Sequence, residues 1–587
     1  MRTYAYAAIA SLTLLALAGM PAMAQESAPA PSADQYLTEV QQVTMPPDNK
    51  NMAAWQAKLD DQVLKLIAAG HMAPWRVQPG ETESMFYFSD PLDLILTLSR
   101  AKPYMSPEVA QKAGEYLDKE MAAYPPASVA LMPRDQGKYR ELYDLPDKDR
   151  SFRWQRWTWR SVYNRPPEEL PIGRPRMMTF YAMWNYAEAF GRWEAVEKQY
   201  PALVLLFEEQ LTPKTNLLEE VAGLAGFARI ADHMGDAKRA EKARSAAVAL
   251  LGQLKTFDEM NKRARDRYDG EAKDQSGQNL RRQIQPALFN LVPESARFLA
   301  DTQKPAVAKG VSSMIGRFPL WYIPMPPNYE TLFGEGCSIA PDNKPNIFLA
   351  RAMILGEPAG ELGKDLDIPW IPVGDLFYMQ CLTSLIESAG TCSWTPYVAK
   401  AKGEFSEKDE AGISQLREDR NAQKTAGWKV TKLADKGPAS LGTIDEELAS
   451  ALPDSASASK DWKDAKLELV DGTLDLKKLF GGGDPKDVVG YAWTRVYAPA
   501  KTACVLMVRN DEGLAIWVNK ARVLLDAEGA GWMPGEIPAP VTLEAGWNTV
   551  LLKLRQSGGD WKFTAHFTTP RGAPIEGLKF SADPADK

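Results

Sequence analysis

The sequence predicts a fold in two parts: an all-α ring of helical hairpins (an α/α toroid), followed by an antiparallel β-sandwich. Three observations predict it. Apolar residues recur at helical spacing from about residue 35 to 400, two segments within that range repeat one helix–glycine–helix pattern, and short alternating strands begin near residue 428. The chain has 587 residues, of which 45% are hydrophobic, and this exceeds what a single core usually needs.

The early helical segments carry apolar residues at the spacing of amphipathic helices. They read YLTEVQQV (36–43), MAAWQAKLDDQVLKLIAAG (52–70), DPLDLILTLSRA (90–101) and SPEVAQKAGEYLDKEMAAY (106–124). In the last of these, Ser106-Pro107-Glu108 predicts a helix start, because serine caps a helix and proline suits its first turn.

The hairpin repeat consists of residues 181–211, YAMWNYAEAFGRWEAVEKQYPALVLLFEEQL, and residues 224–254, LAGFARIADHMGDAKRAEKARSAAVALLGQL. Gly191 and Gly235 lie 44 positions apart, and each is expected to end a helix in the left-handed conformation. Paired helices at this period indicate an open α-solenoid or a closed ring. The apolar first helix of each unit, and the long loops rich in aromatic residues, favour the ring.

The remaining boundaries follow from shifts in composition. Residues 1–24 predict a signal peptide with Arg2, an apolar run and cleavage after Ala24, and no cysteine follows to form a lipobox. The predicted parts are therefore a signal peptide (1–24), a tether (25–34), the helical ring (35–400), a linker or exposed helix (401–427) and the sandwich (428–583). The mature protein is expected in the periplasm or outside the cell, without a membrane span.

Composition argues against several function classes. The net charge of −7 is not that of a nucleic-acid binder. The chain has three histidines, which are far apart, and no C-x-x-C or G-x-S-x-G motif, so we expect no metal, no cofactor and no serine-hydrolase elbow. Among the four cysteines, Cys381 and Cys392 are near enough in sequence to form a disulfide.

Both halves resemble parts of carbohydrate-active proteins. Residues 180–207, FYAMWNYAEAFGRWEAVEKQYPALVLLF, with EEVAGLAGFARIADHMGDAKRAEKA and PWIPVGDLFYMQCLTSLIESAG, resemble the six-hairpin toroids of bacterial polysaccharide-degrading enzymes. This resemblance covers about residues 85–390 and implies a glycoside hydrolase or a polysaccharide lyase with a cleft at one end of the ring.

The C-terminal part is similar to the galactose-binding-like sandwiches found beside such enzymes. The matching stretches are VVGYAWTRVYAP, RNDEGLAIWVNKARVLL and VTLEAGWNTVLLKLRQSGGDWKFTAHF. Asp511, Trp517 and Asn519 follow the pattern of that family, whereas Lys520 replaces its usual hairpin glycine. The resemblance implies a module that contacts glycan or serves only for packing.

The first candidate binding segment, FRWQRWTWR (152–160), lies in a stretch with nine arginines between Arg134 and Arg176. Indole faces stack on sugar rings, and guanidinium groups bind carboxylates or sulfates bidentately. The alternatives are tryptophans wedged into the core under arginines, or a nucleic-acid patch. The candidate substrate-binding residues here are Trp154, Arg156, Trp157, Trp159, Arg174 and Arg176.

The second candidate segment is the long loop FPLWYIPMPPNYETLFGEGCSIAPDNKPN (318–346). Glycosidic hydrolysis needs two carboxyl groups, for which Glu335 with Asp342 or Asp375 are the candidates. Asp375 also suits a helix cap, and Glu335 and Asp342 are alternatively solvated loop charges. Tyr378 or Tyr322 is the candidate base for a lyase. Trp321, Tyr322, Tyr329 and, from a third polar segment, Arg281 complete the candidate binding residues.

These observations predict an exported protein that degrades an anionic polysaccharide or oligosaccharide by hydrolysis. β-Elimination on the same scaffold is the first alternative. A non-catalytic glycan-binding or cell-envelope scaffold is the second.

Overall fold

The computed structural model describes a subset of the chain. The described residues are 32–45, 50–68, 75–76, 91–123, 125–127, 131–133, 140–141, 169–171, 177–211, 217–253, 293–294, 297–298, 301–302, 305, 308, 376–423, 427–445, 448, 462–465, 473–526, 537–570 and 573–583.

Eleven α-helices lie among these residues. They are α1 (Gln35–Thr38), α2 (Lys50–Ala68), α3 (Pro91–Ala101), α4 (Pro107–Ala123), α5 (Met178–Phe190), α6 (Trp193–Gln210), α7 (Leu217–His233), α8 (Ala237–Gln253), α9 (Leu376–Ala389), α10 (Glu407–Gln423) and α11 (Leu476–Leu479).

The strands of the helical part are short. They are β1 (Glu39–Thr44), β2 (Trp75–Arg76), β3 (Leu131–Pro133), β4 (Arg140–Glu141), β5 (Glu169–Pro171) and β6 (Thr391–Pro396). They form three two-stranded pairs, β1 with β6, β2 with β4 and β3 with β5.

The strands of the C-terminal part form two antiparallel sheets. They are β7 (Trp428–Ala434), β8 (Lys463–Ala465), β9 (Leu474–Asp475), β10 (Val488–Ala498), β11 (Thr502–Asn510), β12 (Leu514–Val518), β13 (Ala521–Asp526), β14 (Ile537–Leu543), β15 (Gly546–Gln556), β16 (Lys562–Thr568) and β17 (Lys579–Ser581). One sheet has the order β13-β12-β15-β10-β7-β8, with β17 also paired to β10, and the other has the order β14-β11-β16-β9. The predicted multidomain arrangement of helices followed by antiparallel sheets is therefore confirmed.

The two helical hairpins form where the repeat predicts them. Helices α5 and α6 meet at Gly191, and α7 and α8 meet at Gly235, with φ of 66° and 74°. Both glycines therefore adopt the left-handed conformation that suits a helix end. At Gly235 there is a second reason for glycine, since an added Cβ would lie 2.2 Å from the carbonyl oxygen of Gly403.

Helices α5 and α7 pack with their backbones in direct contact. A Cβ added to Gly223 would lie 2.3 Å from the carbonyl oxygen of Met177, and one added to Gly226 would lie 2.5 Å from Cα of Tyr181. The later residue of α7 contacts the later residue of α5, so the two helices run in the same direction. Phe227 then stacks on Phe207 of α6 with ring centroids 4.0 Å apart.

Helix α9 packs against α2 and α3 and brings distant parts of the chain together. Four of its apolar side chains, Met379, Leu382, Leu385 and Ile386, are fully buried. The strand that follows it, β6, pairs with β1 in antiparallel register, with Val43 opposite Cys392.

The helix predicted for residues 36–43 is wrong beyond its first turn. Only residues 35–38 are helical, and Glu39–Thr44 form strand β1. The strand forms because β6, some 350 residues later, offers backbone partners for its whole length, and tertiary pairing overrides a local periodicity of eight residues.

Segment 401–427 contains helix α10, so of its two predicted forms the helix is the one observed. Ser406 caps it, since its backbone N–H donates to Asp409 Oδ2 at 2.9 Å and the N–H of Asp409 donates to Ser406 Oγ at 3.3 Å. The helix is not isolated: Ile413 is fully buried, and Arg417 donates to Glu208 of α6 at 2.8 Å. Helix α10 also contacts strand β16.

The two large sheets share one hydrophobic core, as expected of a sandwich. Leu506 and Phe567 of the four-stranded sheet and Val496 and Val550 of the seven-stranded sheet are fully buried in it. Trp428 and Phe563 meet across it edge to face, with centroids 5.2 Å apart.

The hairpin between β12 and β13 forms without a glycine in its two-residue turn. Asn519 and Lys520 both have positive φ, at 49° and 70°, which is the backbone of a two-residue type I′ turn. The side chain of Asn519 donates to Asn548 Oδ1 at 2.6 Å, and its own Oδ1 accepts from the backbone N–H of Thr549 at 2.9 Å. These hydrogen bonds hold the turn against strand β15.

A buried lysine fixes residues 435–445 to the outer face of the seven-stranded sheet. Lys553 is fully buried, and its Nζ lies 2.9 Å from Asp445 Oδ2 and donates to the carbonyl oxygens of Ser440 and Thr443. Tyr491 donates to the same carboxylate at 2.6 Å. Although burial raises the pKa of Asp445, the hydrogen bonds from Tyr491 and Lys553 hold that pKa below its ordinary value.

Candidate functional site

Most of the candidate residues named from the sequence lie outside the described residues. These are Trp154, Arg156, Trp157, Trp159, Arg174, Arg176, Arg281, Trp321, Tyr322, Tyr329, Glu335, Asp342 and Asp375. Tyr378 belongs to the first turn of α9, whose side chains at 376–378 are likewise outside the description. Helix α9 begins at Leu376, so Asp375 occupies the position directly before it, as its predicted capping role requires.

The described residues contain a set of buried charges that joins α9, α7 and the N-terminal segment to their neighbours. We call it the buried charge network and define it by three pairs: Arg100–Glu387, Arg229–Glu294 and Arg297–Glu39. All three arginines are over nine-tenths buried.

The first pair joins α3 to α9. The Nε of Arg100 donates to Glu387 Oε1 at 2.9 Å, and its second guanidinium nitrogen donates to Oε2. One turn before Arg100 in α3, Thr97 Oγ1 accepts a hydrogen bond from the side chain of Gln380 in α9 at 2.7 Å. Burial alone lowers the pKa of Arg100, but the adjacent carboxylate of Glu387 raises it above its ordinary value, so the guanidinium group stays charged.

The second pair joins α7 to α5 and to the N-terminal segment. Arg229 donates to Glu294 Oε1 at 2.9 Å, and the hydroxyl of Tyr181 donates to Oε2 at 2.8 Å. Arg229 also donates to the carbonyl oxygens of Leu37 and Glu39, both at 3.2 Å. Its Cζ lies 4.2 Å from the ring centroid of Trp184, a distance typical of cation–π contacts.

The third pair attaches strand β1. Arg297 donates to Glu39 Oε2 at 2.6 Å, and its Cζ lies 4.4 Å from the ring centroid of Trp394. The hydroxyl of Tyr36 donates to Asp301 Oδ2 at 3.2 Å. The N-terminal segment is thus held to the helices by charge as well as by its pairing with β6.

The electrostatics of the network indicate an anchor and not a proton-transfer site. Burial and the nearby carboxylate of Glu387 raise the pKa of Tyr104, and burial with Glu294 raises that of Tyr181. Both tyrosines therefore remain neutral hydrogen-bond donors, unsuited to act as bases at neutral pH. Through its Arg100–Glu387 pair the network holds α9, the helix that directly follows Asp375 in the chain and has Tyr378 in its first turn.

Sequence reasoning missed these pairs because their members are far apart in the chain. The available signal was a charged residue within an otherwise apolar helical stretch: Arg229 in AGLAGFARIA, Arg100 in LILTLSRA and Glu387 in LTSLIESA. Such residues are seldom fully buried unless they are paired, and the sequence alone does not identify the partner.

The described residues also bear on the cysteine, metal-site and membrane-span expectations. Cys392 is a free thiol whose Sγ accepts from Gln41 at 3.1 Å, so the possible disulfide with Cys381 is not formed. Burial raises the pKa of Cys392. In the described ranges, no three histidine, cysteine or acidic side chains are grouped so as to hold a metal ion. No helix within them is long and apolar enough to cross a bilayer.

Comparison with known proteins gives little further information. No family model matches the chain, and no curated protein matches it. Among solved structures, the chain is similar to the PA14 domain of the MpAFP antifreeze protein, with 17% identity over 28% of this chain and 95% of that domain. The TM-score of this match is 0.19, too low to support an argument about fold or function.

Proposed function

We propose that this chain is an exported carbohydrate-active protein that degrades an anionic polysaccharide, with glycoside hydrolysis as the reaction. The observation that carries the proposal is the position of α9. This helix comes near the end of the helical part, yet it packs against α2 and α3 from its beginning, as a closed ring of helical hairpins requires.

Three features of the described residues support the ring. The hairpins α5–α6 and α7–α8 repeat, and their first helices α5 and α7 pack in the same direction through Gly223 and Gly226. Strand β6, directly after α9, pairs with β1 at the start of the helical part. The pair Arg100–Glu387 joins α9 to the early helix α3.

The ring would bring the candidate groups to one cleft. Asp375 precedes α9 and Tyr378 lies in its first turn, so both would face the same end of the ring as the N-terminus of that helix. Glu335, with Asp342 or Asp375, would supply the proton donor and the second carboxylate that glycoside hydrolysis needs. Trp154, Trp157, Trp159 and the arginines near them would bind sugar rings and their acidic groups.

The reaction is tested with the purified mature protein and a panel of uronic-acid and sulfated polysaccharides. Hydrolysis predicts new reducing ends without the ultraviolet absorbance of an unsaturated uronate. If both signals rise together, the reaction is β-elimination with Tyr378 or Tyr322 as candidate base. Binding with neither signal indicates the non-catalytic scaffold.

Variants connect the activity to the named residues. We expect Glu335→Gln and Asp375→Asn to lower kcat by roughly 100-fold or more, because general acid–base groups contribute on that scale. The control is Asp61→Asn, which removes an exposed carboxylate of α2 that pairs with Lys65, and it should leave kcat unchanged. Equal activity in all three variants would exclude Glu335 and Asp375 as catalytic carboxylates.

Export is tested separately from activity. A cleaved signal peptide predicts that the protein from the periplasm or medium begins at Gln25. An N-terminal sequence that begins at Met1 would contradict it.

A further inference from the structure

The outer face of the seven-stranded sheet is divided into a covered half and an accessible half. In strand β10, Tyr491 and Trp493 point outward and lie under residues 435–445 and Leu448, with 0% and 2% of their surface exposed. Side chains along a strand alternate between faces, so Arg495 and Tyr497 point to the same side. They lie beyond the covering segment and are only partly buried.

The accessible half presents two rows of side chains that cross neighbouring strands. In the first row, Tyr497 of β10 stands opposite Trp547 of β15 and opposite Lys579 of β17. In the second row, Arg495 stands opposite the partly buried Thr549 on one side and opposite Ser581, which is buried, on the other. Since neighbouring strands are about 4.8 Å apart, each row spans roughly 10 Å.

Aromatic rings and cations alternate within this surface, which we call the aromatic–cation platform and define by Arg495, Tyr497, Trp547 and Lys579. The Cζ of Arg495 lies 4.5 Å from the ring centroid of Trp547, and Nζ of Lys579 lies 5.5 Å from that of Tyr497. The two rings meet edge to face with centroids 5.6 Å apart. Arg495 also donates to the carbonyl oxygen of Asp583, which fixes its orientation on the sheet.

The chemistry of the two rows suits a flat ligand with negative groups. None of the six side chains in them is acidic, and two of the six carry a positive charge. Aromatic side chains pack against the apolar faces of sugar rings, while the guanidinium and ammonium groups bind carboxylate or sulfate. A neutral glycan would contact the rings alone, whereas the positive charges of Arg495 and Lys579 favour a ligand with negative groups.

We propose that the aromatic–cation platform binds a strand of anionic polysaccharide on the outer face of the sandwich. The identity of this ligand rests on the proposed function, whereas the surface itself rests on the geometry above. The platform would hold the polymer on the sandwich and would act without contacting the reacting bond.

The test measures binding of the full mature protein to polygalacturonate, alginate and heparin, with neutral dextran as the uncharged control. We expect at least one of the three anionic polymers to bind, with an affinity that falls as salt rises. Trp547→Ala should weaken this binding roughly tenfold, as the loss of an aromatic contact predicts. Lys579→Gln should weaken it several-fold, and Lys579→Arg should restore it.

The matched control is Lys463→Gln, which removes another exposed lysine over an aromatic ring. Its Nζ lies 5.2 Å from the ring centroid of Phe480, away from the platform, so binding should not change. The proposal is overturned if none of the three anionic polymers binds, if dextran binds as tightly as they do, or if Trp547→Ala and Lys579→Gln bind like the unaltered chain.

The outcome is distinguishable from failure of the proposed function. If the protein binds polymer through the platform but releases no new chain ends, the platform is supported and the enzymatic proposal is rejected. Conversely, Trp547→Ala could cleave polymer and short oligosaccharide as fast as the unaltered chain and bind polymer equally well. That result would support the enzymatic proposal and reject the platform.

Discussion

The pair formed by Arg100 and Glu387 is nearly inaccessible to solvent, with 6% and 4% of their side chains exposed. Each charge is therefore compensated only by its partner and the polar groups next to it. A buried ion pair adds little compared with an apolar pair, but loss of one partner leaves an isolated charge that is costly. This asymmetry makes the pair a sensitive probe of how α9 is held.

We predict that Glu387→Gln lowers the free energy of unfolding by about 3–5 kcal/mol, because the Arg100 charge stays buried without a counter-charge. Urea denaturation followed by tryptophan fluorescence and circular dichroism checks it. Glu108→Gln, which disrupts the exposed pair with Lys112, is the control and should leave the midpoint unchanged. A similar small effect for both variants would contradict the anchoring role of Glu387.

Acid should release residues 435–445 from the sheet through Asp445. The pKa of Asp445 is lower in the folded chain than its ordinary value of about 3.9, so its contribution to stability is fully present above that pH. The contribution is lost as pH falls through the folded-state pKa. We expect hydrogen-exchange protection of 435–445, corrected for intrinsic rates, to fall below about pH 4.

The Asp445→Asn variant provides the matched comparison. It should already show reduced protection of 435–445 at neutral pH and less change with acid, because its side chain does not ionise. Asp464→Asn, in which an exposed carboxylate is lost, should behave as the unaltered chain does. Identical acid profiles for all three proteins would reject the assignment to Asp445.

Among the elements, the hairpins were predictable and the N-terminal strand was not. Gly191 and Gly235 identified two helix ends because a left-handed residue is a local requirement that the sequence displays. Strand β1 depends on β6, and nothing within residues 36–43 reveals that partner. At Lys520 the turn forms although a lysine, and not a glycine, occupies the position with positive φ.

The contact between α5 and α7 predicts the effect of adding one methyl group. In Gly226→Ala the new Cβ would lie 2.5 Å from backbone atoms of Tyr181, so the helices must separate. We expect a loss of about 1–3 kcal/mol in the free energy of unfolding, the usual cost of overpacking.

Gly412→Ala is the control for helix propensity. Gly412 lies within α10, is exposed, and an added Cβ would meet nothing within 4 Å. Alanine there should stabilise the chain by about 0.5–1 kcal/mol. Opposite signs for the two variants in thermal denaturation support the close helix contact, and stabilisation by both would contradict it.

At the scale of the whole molecule, the N-terminal segment ties the helical part together. Strand β1 pairs with β6, and Arg229 and Arg297 bind its carbonyl and carboxylate oxygens. Deletion of residues 25–44 from the mature chain should therefore lower the unfolding midpoint and expose α9 to proteolysis. Deletion of residues 25–31 alone should change neither, and equal behaviour of the two deletions would contradict this role.

The candidate site was predictable only as residue types. Tryptophan, arginine and acidic residues in segments 152–160 and 318–346 indicate a sugar cleft, but convergence on one cleft depends on contacts between segments far apart in the chain. The described residues show which contacts hold α9, and these involve side chains that carry no local motif. Covariation of Arg100 with Glu387, or of Arg229 with Glu294, is the kind of signal that would have revealed them.

Hydrolysis by Glu335 with a second carboxylate is tested most directly by a crystal structure with an acidic oligosaccharide bound. The measurement is the distance from the carboxyl carbon of Glu335 to that of Asp342 or Asp375. We expect roughly 5–9.5 Å within one cleft of the helical part, the range that glycoside hydrolases require. Carboxylates on separate outer surfaces, with the oligosaccharide bound elsewhere, would contradict it.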